Sequence, residues 1–287
     1  MTSCPLCLAA HSVFVASIDS SRGVYHCQRC GVAFLWPRPS GSEITSLYDQ
    51  DYFSAWGCKE GERASVREMK IATFRYYLRL LQRFCQRGAV LDIGCALGYF
   101  LEVAQQQGFS PYGVELSAYA AGVAQRRFGV DRIVRGTLED ALFAPGSFSF
   151  ITMFDLVEHV PDPRALLVRV RELLTGSGIA LIVTPNYRSL SRLLMGSSWT
   201  HYKLEHLFYF DPESLNTLCA RVGLRVVVCR PAVKALTFEY VSSQFVAYRH
   251  SVLTPFFSLL SRMIPMTVQG RRIFIPIGEM MAVLCKA

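Results

Sequence analysis

Two cysteine pairs, CPLC and CQRC, place Cys4, Cys7, Cys27 and Cys30 within the first thirty residues. Their separation is that of a four-cysteine zinc site. Two cysteines across a tight turn direct both sulfurs to one point, and two such turns build a tetrahedral thiolate cage. Four sulfurs leave no open position, so the implied metal is structural. Farther along, MFDLVEHVPDP carries Asp155, Glu158 and His159. Their i, i+3, i+4 spacing would bring them together if that turn is helical. His201 and His206 follow in WTHYKLEHLFYF, among Trp199, Tyr202 and Tyr209. Those aromatics either line a ligand site or pack as core.

A third feature is the loop DIGCALG. Asp92 ends an apolar run, and Gly94 and Gly98 bracket Ala96, where a dinucleotide loop would have another glycine. Ala96 is tolerable there if its backbone stays at negative φ. Glu115 ends the next apolar run, at the distance beyond the loop where an acid can accept hydrogen bonds from ribose hydroxyls. Glu139 and Asp140 in GTLED are placed to meet an adenine amine.

These groups need elements to hold them. AVLDI (89–93), PYGVEL (111–116), DRIVRG (131–136), FSFITMF (148–154) and GIALIVT (178–184) read as buried parallel strands. Helical segments lie between them, including PRALLVRVRELL with Leu166, Leu167, Val170, Leu173 and Leu174 on one stripe. Such alternation predicts an α/β fold, with ligands bound beyond the carboxyl ends of the strands. Val13, Phe14, Val15, Val24 and Tyr25 suit short strands of an N-terminal zinc ribbon. The expected order is a ribbon over 1–36, a linker and cap helix over 37–61, and an α/β core over 62–231. A lid or insertion over 232–272 follows, then a final strand pair over 273–287.

LDIGCALGYF, GVELS, GTLED, VEHVPDP and EHLFYFDPESL, in this order, resemble the class I S-adenosylmethionine-dependent methyltransferases. More narrowly, the chain is similar to bacterial members with a zinc ribbon, related to ubiquinone-type O-methyltransferases. The resemblance implies a Rossmann-like seven-stranded sheet. It also implies that S-adenosylmethionine is held by Asp92, Gly94, Ala96, Gly98, Glu115, Leu116, Leu138, Glu139 and Phe154. In-line methyl transfer asks for positioning and removal of a proton. His159 is the expected base, with Asp155 and His206 on the acceptor side. The resemblance further implies magnesium at Asp155, Glu158 and His159, since oxygen-rich sites suit that ion.

The net charge of +8 is concentrated after Glu213, where nine basic residues face two acidic ones. A solvated surface, nucleic acid, an anionic membrane or a phosphorylated substrate would each account for it. The ribbon itself is poorly basic: Arg22 and Arg29 oppose Asp19. Nucleic acid is therefore disfavoured as a partner, although an RNA-directed methyltransferase remains the alternative, and a non-catalytic binding protein a third. No Asn/Asp-Pro-Pro-aromatic motif follows the fourth core strand, which disfavours amino-methylation of a base. The expected acceptor is a small or lipid-linked molecule methylated on a hydroxyl. No apolar leader follows Met1, so the expected location is cytoplasmic, with peripheral membrane contact through 232–272 left open.

Overall fold

The computed structural model describes residues 2–41, 43–44, 64–85, 87–247, 259–260, 263, 265 and 270–287. Cys58, most of the expected cap helix and part of the expected lid lie outside these residues. Among the described residues no helix is long and apolar enough to cross a membrane.

Three short strands open the chain: β1 (Ser12–Ser17), β2 (Gly23–Cys27) and β3 (Ala33–Trp36). The core follows with β4 (Ala89–Ile93), β5 (Ser110–Glu115), β6 (Ile133–Arg135), β7 (Phe148–Phe154) and β8 (Leu174–Pro185). These five are joined in parallel, and β10 (Leu224–Thr237) and β11 (Arg272–Lys286) complete a seven-stranded sheet of order β10-β11-β8-β7-β4-β5-β6. Only β11 runs against its neighbours.

Because successive strand residues face opposite sides, the sheet divides two cores between its faces. Leu91, Ile151, Ala180 and Ile182 join one cluster, with Leu167 and Val170 of helix Pro163–Leu173. Val90, Phe150, Leu181 and Val183 join the other, with Tyr77 and Leu78 of helix Ala64–Leu81 and Phe100 of helix Tyr99–Gln106. Sequence signals set the helix starts. Asp162 accepts from the N–H groups of Arg164 and Ala165, ahead of Pro163. Asp211 and Ser214 form a reciprocal capping box at helix Pro212–Arg221, with Pro212 in its first turn.

Three expectations change. Residues 273–287 are not a strand pair but, up to Lys286, lie in a single strand: where its register with β10 shifts, residues 277–279 stand opposite Ala232, and β11 continues past Pro276 and Gly278. The core does not end at 231, since β10 runs on to Thr237 with Ala232 and Ala235 buried. Leu174 begins β8 instead of ending the helical stripe. The ribbon is also not free-standing. β9 (Phe208–Tyr209), from the segment after His206, pairs with β3 as the fourth strand of its sheet. Cys4, Cys27, Val32, Phe34 and Leu35 then share one core cluster with Leu207, Phe208 and Val157.

Candidate functional site

A cleft of about 2440 Å³ opens beyond the carboxyl ends of β4, β5, β7 and β8, where the parallel topology predicts it. One half is the glycine loop. Asp92 is buried at the end of β4 and accepts a hydrogen bond from the Thr152 hydroxyl at 2.7 Å. Burial pushes its carboxyl up to about 8, against that bond and with the Glu115 charge adding to the rise. Glu115 is buried at the end of β5. Its two oxygens accept from the backbone N–H groups of Ala96 and Ser117, each at 2.8 Å. Burial raises its pKa as well.

Gly94 and Ala96 line the cleft, both with left-handed backbones, at φ 75 and 47. The condition of negative φ at Ala96 is thus not met. An alanine there costs about 1–2 kcal/mol of backbone strain, which the Ala96 N–H bond to Glu115 offsets in part. Gly98 lies outside the cleft lining. It begins helix Tyr99–Gln106 at φ 78, and a Cβ there would sit 2.6 Å from the Phe128 ring. Leu116, Leu138, Glu139 and Phe154 all line the cleft. Asp140 turns away from it: one carboxylate oxygen accepts from the Thr137 N–H and hydroxyl at 2.8 and 3.0 Å.

The other half carries the carboxylates and histidines. Asp155 follows β7 at φ 50, its N–H held by the Val183 carbonyl at 2.9 Å. Its carboxylate does not join Glu158 and His159. It accepts instead from Lys234 Nζ at 3.2 Å, and Lys234 also donates to Glu279 at 2.7 Å. Burial would lower the Lys234 pKa, but the two carboxylates outweigh it and the ammonium is held charged. Burial raises Glu279 to about 7 despite that ammonium.

Glu158 is buried and accepts from the Thr184 hydroxyl at 2.9 Å through Oε2, while its Oε1 has no partner. Burial, then the Asp155 charge, holds its carboxyl well above the usual range. His159 Nε2 lies 3.9 Å from Glu158 Oε1. The His159 and His206 rings meet edge to face at 4.7 Å. Burial lowers His159 and His201 to about 4 and His206 well below its ordinary value, so all three imidazoles are neutral near pH 7. His206 Nδ1 and Glu279 Oε2 are also buried without partners. Three buried polar atoms of cleft-lining residues thus lack a partner within the protein, and each calls for one.

Glu158, His159 and His206 present ligand atoms within 4.8 Å of one another. That set replaces the expected Asp155, Glu158 and His159, because Lys234 draws Asp155 away. Two imidazole nitrogens and one oxygen do not match the all-oxygen preference of magnesium. At the ribbon, Cys4 Sγ and Cys30 Sγ lie 3.7 Å apart, and those of Cys7 and Cys27 3.5 Å. A tetrahedral zinc with bonds of about 2.3 Å has sulfur–sulfur edges of about 3.8 Å, so the four cysteines fit that ion.

Lys234 and Glu279 were not legible as site residues, since both read as part of the late charge excess. One signal was present: Glu279 is a lone acid within the apolar run IPIGEMMAVL.

A family model described as a methyltransferase domain matches residues 66–228. Over 173 residues the chain is 24% identical to the ubiquinone biosynthesis O-methyltransferase of Azoarcus sp., covering 56% of this chain and 72% of that protein. Over 143 residues it is 31% identical to the mitochondrial ubiquinone biosynthesis O-methyltransferase of Schizosaccharomyces pombe, covering 47% of this chain and 50% of the relative. The chain thus spans between half and three-quarters of these curated relatives. Among solved structures, a complex between the Haloferax volcanii Trm112 methyltransferase activator and a methyltransferase matches with a TM-score of 0.57. It covers 85% of this chain and 97% of the other at 13% identity, a likeness of fold. With the glycine loop and Glu115 at the strand ends of a seven-stranded sheet, and the family model spanning more than half its length, the chain belongs to the S-adenosylmethionine-dependent methyltransferases.

Proposed function

We propose that this methyltransferase acts on a hydroxyl oxygen of a small or lipid-linked acceptor. When bound, S-adenosylmethionine supplies a sulfonium methyl whose C–S bond breaks as the acceptor's O–C bond forms, leaving S-adenosylhomocysteine. Gly94, Ala96, Glu115, Leu138 and Glu139 hold this donor, and His159 takes the hydroxyl proton. A neutral imidazole is competent for that step, and the Asp155 charge favours the imidazolium that results. Glu158, its carboxyl pushed upward by burial, and His206 Nδ1 offer hydrogen bonds that orient the acceptor oxygen. The observation carrying this reading is the set of orphaned atoms, Glu158 Oε1, His206 Nδ1 and Glu279 Oε2, beside neutral His159. Zinc in the four-cysteine cage is structural in this reading, and the protein works in the cytoplasm, in peripheral contact with membrane where the acceptor is lipid-linked.

The RNA-directed alternative needs a ribbon free to grip nucleic acid. Its packing against Leu207 and Phe208 speaks for the small-molecule reading. The test is label transfer from methyl-labelled S-adenosylmethionine to extracts fractionated into RNA and small-molecule pools. Label in the small-molecule pool as an alkali-stable ether is the expected result. Label confined to RNA, or recovered as N-methyl product, overturns the proposal.

A further inference from the structure

The cleft is several times larger than the roughly 300–1,000 Å³ of a single small-ligand pocket. A donor and a compact acceptor would leave much of it vacant. Its polar groups include Glu158, His159, His206 and Glu279. Two parts of the chain far apart in sequence also line it. Ser17 and Ile18, at the end of β1, are one, and Met195, Trp199 and Tyr202 are the other. Ile18 packs against the aromatic cluster of Tyr187, Trp199 and Tyr209 and also against the core that the ribbon shares with the sheet. Its position is braced. The Ile18 N–H donates to the Arg22 carbonyl at 2.9 Å, and Asp19 Oδ1 accepts from the Ser21 and Arg22 N–H groups at 2.7 Å each. Arg22 is tied in turn to Glu43. A side chain so held is a preorganised contact and not a mobile surface group.

We infer that the ribbon is itself part of the acceptor site, with Ile18 as the specificity-determining residue that receives an apolar arm on the acceptor. The inference rests on the hydroxyl-acceptor reading above. Once the acceptor's polar head meets the orphaned atoms, the rest of it runs along a lining that is apolar for the larger part and includes Ile18 and Met195. The ribbon therefore selects acceptors by the length and apolarity of what is attached to the hydroxyl-bearing group. A polar or very short acceptor gains nothing from it.

The experiment uses the full chain saturated with S-adenosylhomocysteine, and two probes, 4-methylphenol and 4-heptylphenol. Their dissociation constants are measured by calorimetry for the wild type, Ile18→Asp and Ile18→Trp. The ratio of the two constants is the readout, and zinc content with S-adenosylhomocysteine affinity reports correct folding of each variant. The wild type should prefer the heptyl probe at least tenfold. Both variants should reduce that preference to less than threefold, Asp by polarity and Trp by filling the space. A wild-type ratio near one, or a preference that survives in a folded variant, overturns the inference. Assay of the same mixtures with S-adenosylmethionine separates the two readings. An intact, Ile18-dependent preference without aryl ether formation sinks hydroxyl methylation and leaves the ribbon's role standing.

Discussion

The backbone N–H of Leu35, in the ribbon's third strand, donates to the carbonyl of Leu207 at 3.1 Å, one residue beyond His206. The N–H groups of Leu207 and Phe208 in turn donate to the Glu158 carbonyl, at 2.8 and 3.1 Å. One chain of backbone bonds thus joins the ribbon's third strand to Glu158 and to the segment beside His206. A structural zinc in this cage of four cysteines, as proposed, would contribute folding energy, so its loss should loosen this path. After zinc chelation, hydrogen exchange should accelerate at Leu207 and Phe208 while the amides of β4 and β5 stay protected. Equal acceleration in both regions would show that the ribbon supports the whole fold and not the acceptor side in particular.

Glu115 is the group on which the donor pocket turns. It is buried and already shaped by two N–H donors. Removing a charged acceptor of this kind costs about 1–3 kcal/mol. Glu115→Ala should weaken S-adenosylhomocysteine binding by that amount in calorimetric titration, and Glu139→Ala, at an exposed position, by less.

The pH dependence of stability has a definite sign on the alkaline side. Asp92 is raised to about 8 and Glu279 to about 7, each above its unfolded value. The folded state therefore holds protons that the unfolded chain has lost, and stability falls as pH rises from the ordinary carboxylate range up to these values, levelling off above them. Between pH 6.5 and 8 the loss from Asp92 should be about 1–2 kcal/mol. Urea melts of Asp92→Asn should show a flatter profile across this window. A profile identical to wild type would mean that Asp92 is ionised in the folded protein.

His159 gives the opposite edge of the activity profile. Burial lowers it to about 4, so the neutral base persists far below the usual histidine range. The acidic limb of kcat/KM should fall near pH 4–5 and not near 6.5. His159→Gln should lower kcat by about 10²–10⁴-fold with S-adenosylhomocysteine affinity retained. An acidic limb centred at 6.5 would remove His159 from the role of base.

Lys234 joins Asp155 and Glu279 across the cleft floor. Removing one member of such a group leaves a buried charge uncompensated, at about 3 kcal/mol. Lys234→Met should be destabilised by that order in chemical denaturation. Lys234→Met with Glu279→Gln should recover part of it, because the buried carboxylate is then gone.

The order of strands and helices in the core was legible because the buried strands are largely apolar runs and several helices carry a start signal, Ser117, Asp162 and Asp211 among them. β4 and β7 fall on AVLDI and FSFITMF. The positions of the residues proposed for the donor side were legible for a related reason: Asp92 and Glu115 sit at strand ends, and strand ends are visible in sequence. The acceptor side was not. Asp155 looked like a partner of Glu158 and His159 by spacing, but its left-handed backbone aims it at Lys234, 79 residues away. No local pattern encodes that pairing.

The amino-acid sequence by itself determined the elements, the glycine loop, the acid at the end of β5 and the four-cysteine cage, because each depends on residues close together in the chain or on the period of one element. The tertiary structure alone decided what faces the acceptor. β9 closes the ribbon's sheet from a segment more than 170 residues beyond β3, β10 and β11 bring Lys234 and Glu279 to Asp155, and Ile18 reaches Trp199. Those relationships come from how two sheets pack and in what register, which are properties of the assembled fold and not of any stretch of chain.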